Sequence, residues 1–238
     1  MKNFLIITSC LLLSVSNYAQ TRKIKGNGNV VSKDRNIQSF NKLIVDGDIE
    51  LTLVNSPLQK KINITTDANL HQLIDSEIKE GTLTIKIKDN IEIIKQTETF
   101  KISLTNKDIN EITLNGNATI ETVGINEVNN LSITNNGNGE IRLSIKTDDF
   151  KAFNNGNGSI SADGKSNLIS IKNNGSGNVN FGNVSTFFTE VHNTGSGNVY
   201  TNSVNGLDGT LTGSGNIYYK TTKTVNIENT GTGKVIKE

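Results

Sequence analysis

Glu190 and Asp208 are the acidic pair in this chain whose spacing could do chemistry, and His192 lies two residues beyond the first of them. Aligned on the repeated glycines described below, the two carboxylates share one column in adjacent turns, and His192 falls on the same face. Carboxyl groups about 5 Å apart suit a retaining glycoside hydrolase, one as nucleophile and the other as acid and base. Two carboxylates with an imidazole are also a donor set for a divalent metal. The full column, however, reads Ser132, Lys151, Ser170, Glu190, Asp208 and Asn226, which is the composition of a solvated face. No residue is therefore assigned a catalytic, metal-binding or cofactor-binding role, and no cofactor is expected. His71, the only other histidine, is expected at the surface, and two histidines in distant positions support no Ser-His-Asp arrangement.

The elements that would position such residues follow from an internal repeat. Gly-x-Gly recurs at Gly137, Gly156, Gly175, Gly195, Gly213 and Gly231, with first glycines 19, 19, 20, 18 and 18 residues apart. Gly116-Asn117-Ala118 precedes them by 21 residues, giving seven consecutive near-copies, and Gly26-Asn27-Gly28-Asn29-Val30 repeats the pattern near the start. Four positions before the first glycine stand Ile133, Ala152, Ile171, Val191 and Ile227; four after it stand Ile120, Ile141, Ile160, Val179, Val199, Ile217 and Val235. Leu131, Phe150, Ile169 and Val225 lie six before, and Leu143, Ala162, Phe181 and Tyr219 six after. Steps of two residues mark strands, not helices. Turns of 18–21 residues then predict an all-β chain, a parallel β-helix whose turns stack about 4.8 Å apart. One turn cannot bury its apolar side, whereas stacked turns do. The corner glycines serve either a positive φ or a close backbone approach.

Asparagine is columnar as well. Of 36 in the chain, Asn135, Asn154, Asn173, Asn193 and Asn229 lie two before the first glycine, and Asn178, Asn198 and Asn216 three after it. Codon bias would explain the total but not the columns, so these are read as amide ladders running from turn to turn.

Residues 24–115 form a less regular N-terminal part, and 116–238 the regular repeats. Leu43, Val45, Ile49, Leu51 and Leu53 around Asp46-Gly47-Asp48, then Ile62-Asn63-Ile64 and Leu83 to Ile87, alternate as strands. Asp67 to Ile74 begins with a good helix-capping residue and puts Leu70, Leu73 and Ile74 on one face, which predicts one short helix. Lys88 to Thr99 is read as a protruding loop.

Lys2, the apolar run Phe4 to Val15 and the small polar end Ser16 to Gln20 have the layout of a secretory signal peptide, so residues 1–20 are expected to be removed and 21–238 to form a single solenoid domain. The run is too short to span a bilayer, and no integral membrane segment is expected after cleavage. A rival reading takes Ile7-Thr8-Ser9-Cys10 as a lipoprotein processing site. With 24 Lys and Arg against 23 Asp and Glu, no long-range field favours nucleic acid or an anionic membrane. The calcium-binding nonapeptide repeat requires Gly-Gly-x-Gly-x-Asp every nine residues, which this chain lacks. Its Gly-x-Gly corners also lack the Lys-Ser/Thr pair and following helix of a phosphate loop.

Gly26-Asn27-Gly28-Asn29-Val30, Arg35, Phe40, Leu43-Ile44-Val45, Ile49-Glu50-Leu51, Asn69-Leu70 and Gly81-Thr82-Leu83-Thr84-Ile85, followed by Gly-Ser-Gly-Asn-Val repeats, occur in that order. Over most of residues 24–220 the chain resembles the bacterial exported family called putative auto-transporter adhesin, head GIN domain. The resemblance implies an extended β-solenoid. A series of C-terminal amphipathic strands able to build an outer-membrane barrel is not seen in the sequence, so the adhesin part of that description is carried over and self-translocation is not.

The expected function is a non-enzymatic binding or adhesion module, exported across the inner membrane to the periplasm, outer-membrane surface or exterior. Its long Thr- and Asn-rich faces would meet a glycan, a protein or another copy of itself. The competing readings are a carbohydrate-active enzyme, favoured by a groove with clustered carboxylates and aromatic platforms, and a periplasmic sensor or scaffold component. With no Trp and 5% aromatic residues, sugar-stacking surfaces are expected to be scarce.

Overall fold

The computed structural model describes residues 21–55, 61–105, 109–220 and 223–238. The leader and Cys10 lie outside the described residues. The chain is a β-solenoid of about seven turns. Two of its walls are built on the columns read from the sequence. On one wall Leu83, Leu43, Ile112, Ile133, Ala152, Ile171, Val191, Gly209 and Ile227 are successive parallel partners. On the other the succession is Ile102, Leu51, Ile120, Ile141, Ile160, Val179, Val199, Ile217 and Val235. Leu83 through Val191 on the first wall, and Ile102 through Ile217 on the second, are buried. At about 1.5 to 3 kcal/mol for each fully buried aliphatic side chain, these ladders are the main favourable term in the fold.

A short third side closes each turn, and there the pairing is less regular. The turn that begins at Gly175 holds one residue more than its predecessor, and the ladder between Ser159–Asn173 and Val179–Asn193 slips between Ser161 and Asp163 to absorb it. At the Gly-x-Gly corner the backbones of successive turns bond directly, as in Gly158 N–H to Gly137 O at 3.1 Å and Ser196 N–H to Gly175 O at 3.2 Å. Gly137, Gly156, Gly175 and Gly195 are not among the positive-φ residues. Of the two reasons expected for them, close approach is the one that operates.

The Asn columns divide into three kinds. Asn135, Asn154, Asn173 and Asn193 are fully buried. Asn154 Nδ2 donates to Asn173 Oδ1 at 3.0 Å, and Asn173 Nδ2 to Asn193 Oδ1 at 3.3 Å. A second, exposed ladder climbs Asn115, Asn136, Asn155 and Asn174, with steps of 2.9–3.0 Å. The Asn178, Asn198 and Asn216 column works differently, each side-chain oxygen accepting a backbone N–H of the next turn.

The N-terminal part departs from the expectations in four places. First, residues 82–105 lie on the far side of 42–54, and the chain then crosses back so that Glu111–Leu114 pairs with the other edge of Lys42–Asp46. Antiparallel strands cover that end: Lys61–Asp67 on Phe100–Thr105, Val30–Asn36 on Lys61–Asp67, and Ile74–Lys79 on Thr82–Ile87. Second, the expected loop from Lys88 to Thr99 contains a strand, Ile91–Lys95, which pairs in parallel with Arg22–Lys25. Third, the expected helix is a single 3-10 turn, His71–Leu73. Its apolar face is as read, with Leu70, Leu73 and Ile74 buried, but His71 is buried too, with Nε2 3.0 Å from Val31 O. Arg35 binds the carbonyls of His71 and Ile74 and so ties this turn to the covering strands. Fourth, Gly26 to Asn29 is not a corner of the solenoid; it wraps the side chain of Asp67.

Asp67 is fully buried and accepts from Thr97 N at 2.8 Å, Thr97 Oγ1 at 3.0 Å and Gly28 N at 2.6 Å. The Thr97 N–H, against the opposing effect of burial and with help from the Thr97 hydroxyl and Gly28 N–H, holds this carboxyl below the usual carboxylate range. A lowered pKa adds stability that is present above the unfolded value of about 3.9 and is lost as pH falls through the folded value. Hydrogen exchange should therefore show protection of Val30–Asn36 and Lys61–Asp67 collapsing on acidification before that of Val179–Asn193. In Asp67→Asn those two strands should already be weakly protected at pH 7, with little further loss on acidification. Unchanged protection in Asp67→Asn would remove Asp67 from this role.

Candidate functional site

The outer side of four stacked strand segments, residues 149–154, 168–173, 188–193 and 206–211, carries the residues the sequence singled out. Parallel register sets their side chains in a grid of three columns. The first reads Asp149, Leu168, Phe188, Gly206; the second Lys151, Ser170, Glu190, Asp208; the third Phe153, Lys172, His192, Thr210. All of them except Gly206 and Thr210 line an open groove of about 570 Å³.

Buried hydroxyls set the bend that leads into this grid. Ser166 Oγ donates to Leu168 O at 2.7 Å, Thr186 Oγ1 to Phe188 O at 3.1 Å and Ser203 Oγ to Gly206 O at 2.6 Å. Each bond satisfies a corner carbonyl and fixes where the first column starts. Two consecutive outward residues at the bend then break the alternation, so that Leu168, Phe187 and Val204 are exposed at 46%, 56% and 42%. Leu168 lines the groove beside Phe188, whereas Phe187 and Val204 line a neighbouring hollow.

Glu190 and Asp208 are direct partners on adjacent strands, as the column alignment requires. His192 bridges outward from Glu190, with Nε2 3.1 Å from Glu190 Oε1 and Nδ1 3.0 Å from Thr210 Oγ1. Ser170 Oγ donates to Glu190 Oε2 at 3.4 Å. The Glu190 side chain is 52% exposed, so the groove does not give it the desolvated setting that equips a carboxyl as a general acid. Among the described residues no group of three or more His, Cys, Asp or Glu is placed to hold a metal ion.

Sequence reading missed the aromatic residues of this face. The Phe188 ring edge reaches so close to the next strand that a Cβ on Gly206 would stand 2.7 Å from its Cε2. Lys172 Nζ sits 6.0 Å from the centre of the Phe153 ring. On the opposite wall Tyr200 and Tyr218 stack at 4.7 Å with planes 7° apart. Few aromatics are present, and of those on the outer faces Phe153, Phe188, Tyr200 and Tyr218 are half-buried while Phe187 is exposed. The available signal was the Phe187-Phe188 doublet, which violates the two-residue period around it.

Among the described residues no helix is long and apolar enough to cross a membrane. No protein of curated function matches the chain in sequence. Among solved structures, a "putative adhesin" from Bacteroides fragilis NCTC 9343 superposes with a TM-score of 0.84 at 21% identity, covering 90% of this chain and 100% of that one. A "putative lipid binding protein" from Parabacteroides distasonis ATCC 8503 gives 0.73 at 21% identity over 90% and 100%. A "putative adhesin" from Parabacteroides merdae ATCC 43184 gives 0.69 at 22% over 90% and 99%. At these identities the likeness establishes the fold. The family profile described as putative auto-transporter adhesin, head GIN domain, matches residues 39–222, and the chain belongs to that family.

Proposed function

We propose that the chain is an exported, non-enzymatic binding module of the cell envelope, with residues 1–20 as a removable leader and 21–238 as one solenoid domain. The observation that carries this reading is the outer grid of apolar, aromatic and mixed-charge columns on a rigid scaffold. Stacked turns repeat such features along one axis, which suits contact with an extended or multivalent partner. Membership in an adhesin family and the adhesin descriptions of similar folds support it.

A carbohydrate-active enzyme is the second reading, and one observation favours it: Glu190 and Asp208 are neighbours in a groove that also holds aromatic rings. The chain purified after export, screened for binding to glycan arrays and to whole cells, should bind saturably and release no sugar product. Product formation by the native chain, abolished in Glu190→Ala/Asp208→Ala, would replace the binding reading with the enzymatic one.

A further inference from the structure

We infer that the groove over the outer grid is a subsite for a neutral pyranose chain, with Phe188 as its stacking platform; this rests on the binding-module reading above. Gly206 is the first support. Its missing side chain makes room for the edge of the Phe188 ring, with Cε2 and Cδ2 only 2.7 and 2.8 Å from where a Cβ would be. One edge of the ring takes up that space, and Phe188, half-buried, lines the groove. A pyranose has an apolar face of C–H groups that packs on such a ring, and hydroxyls around its edge that need hydrogen-bonding partners.

Those partners stand in the adjacent columns. Glu190 is the next outward residue along the strand from Phe188, and His192 the one after. The imidazole spends both nitrogens on Glu190 and Thr210, so it holds the Glu190 carboxylate in place and leaves the ligand contacts to Glu190 and its neighbours. Glu190, also met by Ser170 Oγ, is thus oriented before any ligand arrives, which lowers the cost of ordering on binding. Ser170, small and central, leaves the floor open between Phe188 and Phe153. These two rings are two strands and roughly four residues apart on the diagonal, about 16 Å by strand geometry, a span for a short run of sugar residues rather than one.

Charge narrows the class. Asp149, Glu190 and Asp208 face Lys151 and Lys172, three carboxylates against two ammonium groups. Such a lining offers donors and acceptors in both senses, yet gives an anionic polysaccharide or a phosphate headgroup no net attraction. The occupant that fits is uncharged, ring-faced and rich in hydroxyls.

The test uses the exported chain on an array carrying cello-, malto-, xylo- and chito-oligosaccharides, with parallel binding to whole cells. Phe188→Ala should weaken binding to the neutral oligosaccharides about tenfold or more, whereas Tyr200→Ala, which removes a ring from the opposite wall, should leave it unchanged. Because the chain has no tryptophan, Phe188→Trp supplies a single reporter that keeps a platform in place. Its emission should shift saturably with the oligosaccharide that binds best on the array. Array binding that survives Phe188→Ala, or an indole emission in Phe188→Trp that ignores that sugar, overturns the inference. Cell binding without binding to any neutral oligosaccharide overturns it while leaving the binding-module reading intact; binding to neither cells nor glycans sinks both.

Discussion

Gly177→Val is expected to cost upward of about 4 kcal/mol, enough to unfold the central turns of the solenoid. The reason is contact, not backbone angle. A Cβ at Gly177 would overlap the carbonyl oxygen of Gly158 and stand 2.6 Å from its carbon and 2.7 Å from Asn157 O. Those atoms are backbone and cannot swing aside. Relief would require the two turns to separate at the corner, and Asn174 N–H to Asn154 O, Gly175 N–H to Asn154 O and Asn154 Nδ2 to Gly177 O all hold them together. Gly182→Ala is the control, because its Cβ would meet nothing closer than 3.4 Å and its φ is not positive. That change should fall within about 0.5 kcal/mol of the native chain. Denaturant unfolding of the two variants side by side decides the matter, and similar losses at both positions would refute close stacking as the role of the corner glycines.

The repeats from Gly116 onward could be read from sequence because on the two long walls each inward column pairs with its counterpart in the next turn, the register shifts falling on the short side. An inward residue such as Ile171 then has Ala152 nineteen residues before it and Val191 twenty after it, always four before a corner glycine, and that offset is visible without coordinates. The N-terminal part offers no such offset. Leu43 lies between Leu83 and Ile112, so its neighbours are forty residues ahead on one side and sixty-nine on the other. Antiparallel covering strands hide the pattern further, since Val30–Asn36 runs against Lys61–Asp67 and shares no column with the solenoid. The strand at Ile91–Lys95 did carry a signal, the alternation of Ile91, Glu92 and Ile93, but its partner Arg22–Lys25 is a distant, charged segment. His71 was placed outside because a helix was expected; a 3-10 turn wedged beneath Val31 buries it instead. On the candidate site the column of Glu190 and Asp208 was legible and the platform was not. Phe188 and Gly206 acquire their relation only when adjacent strands are brought into contact, and that relation is a property of the stack rather than of either residue.

The buried Asn ladder should be coupled, and this can be measured. Asn173→Ala removes a side chain that accepts from Asn154 and donates to Asn193 Oδ1 and Gly197 O. In a fully buried position the stranded groups have no water to turn to, so a loss of about 3 kcal/mol is expected. Asn155→Ala, in the exposed ladder, leaves its partners Asn136 and Asn174 within reach of solvent and should cost about 0.5 kcal/mol. The buried column itself shows what an uncoupled replacement looks like, because Leu114 and Leu211 occupy the same position in turns to either side of the amides and are fully buried. Leucine therefore fits where no amide neighbour is left unmatched. Asn154→Leu, Asn173→Leu and Asn193→Leu made singly should each strand part of the ladder, while the triple variant removes most donors together with their acceptors. Its unfolding free energy should fall by clearly less than the sum of the three single losses. Strict additivity would mean that each amide acts only through its bond to a glycine carbonyl, Gly177 O or Gly197 O, and that the amide-to-amide bonds contribute nothing to holding the stack.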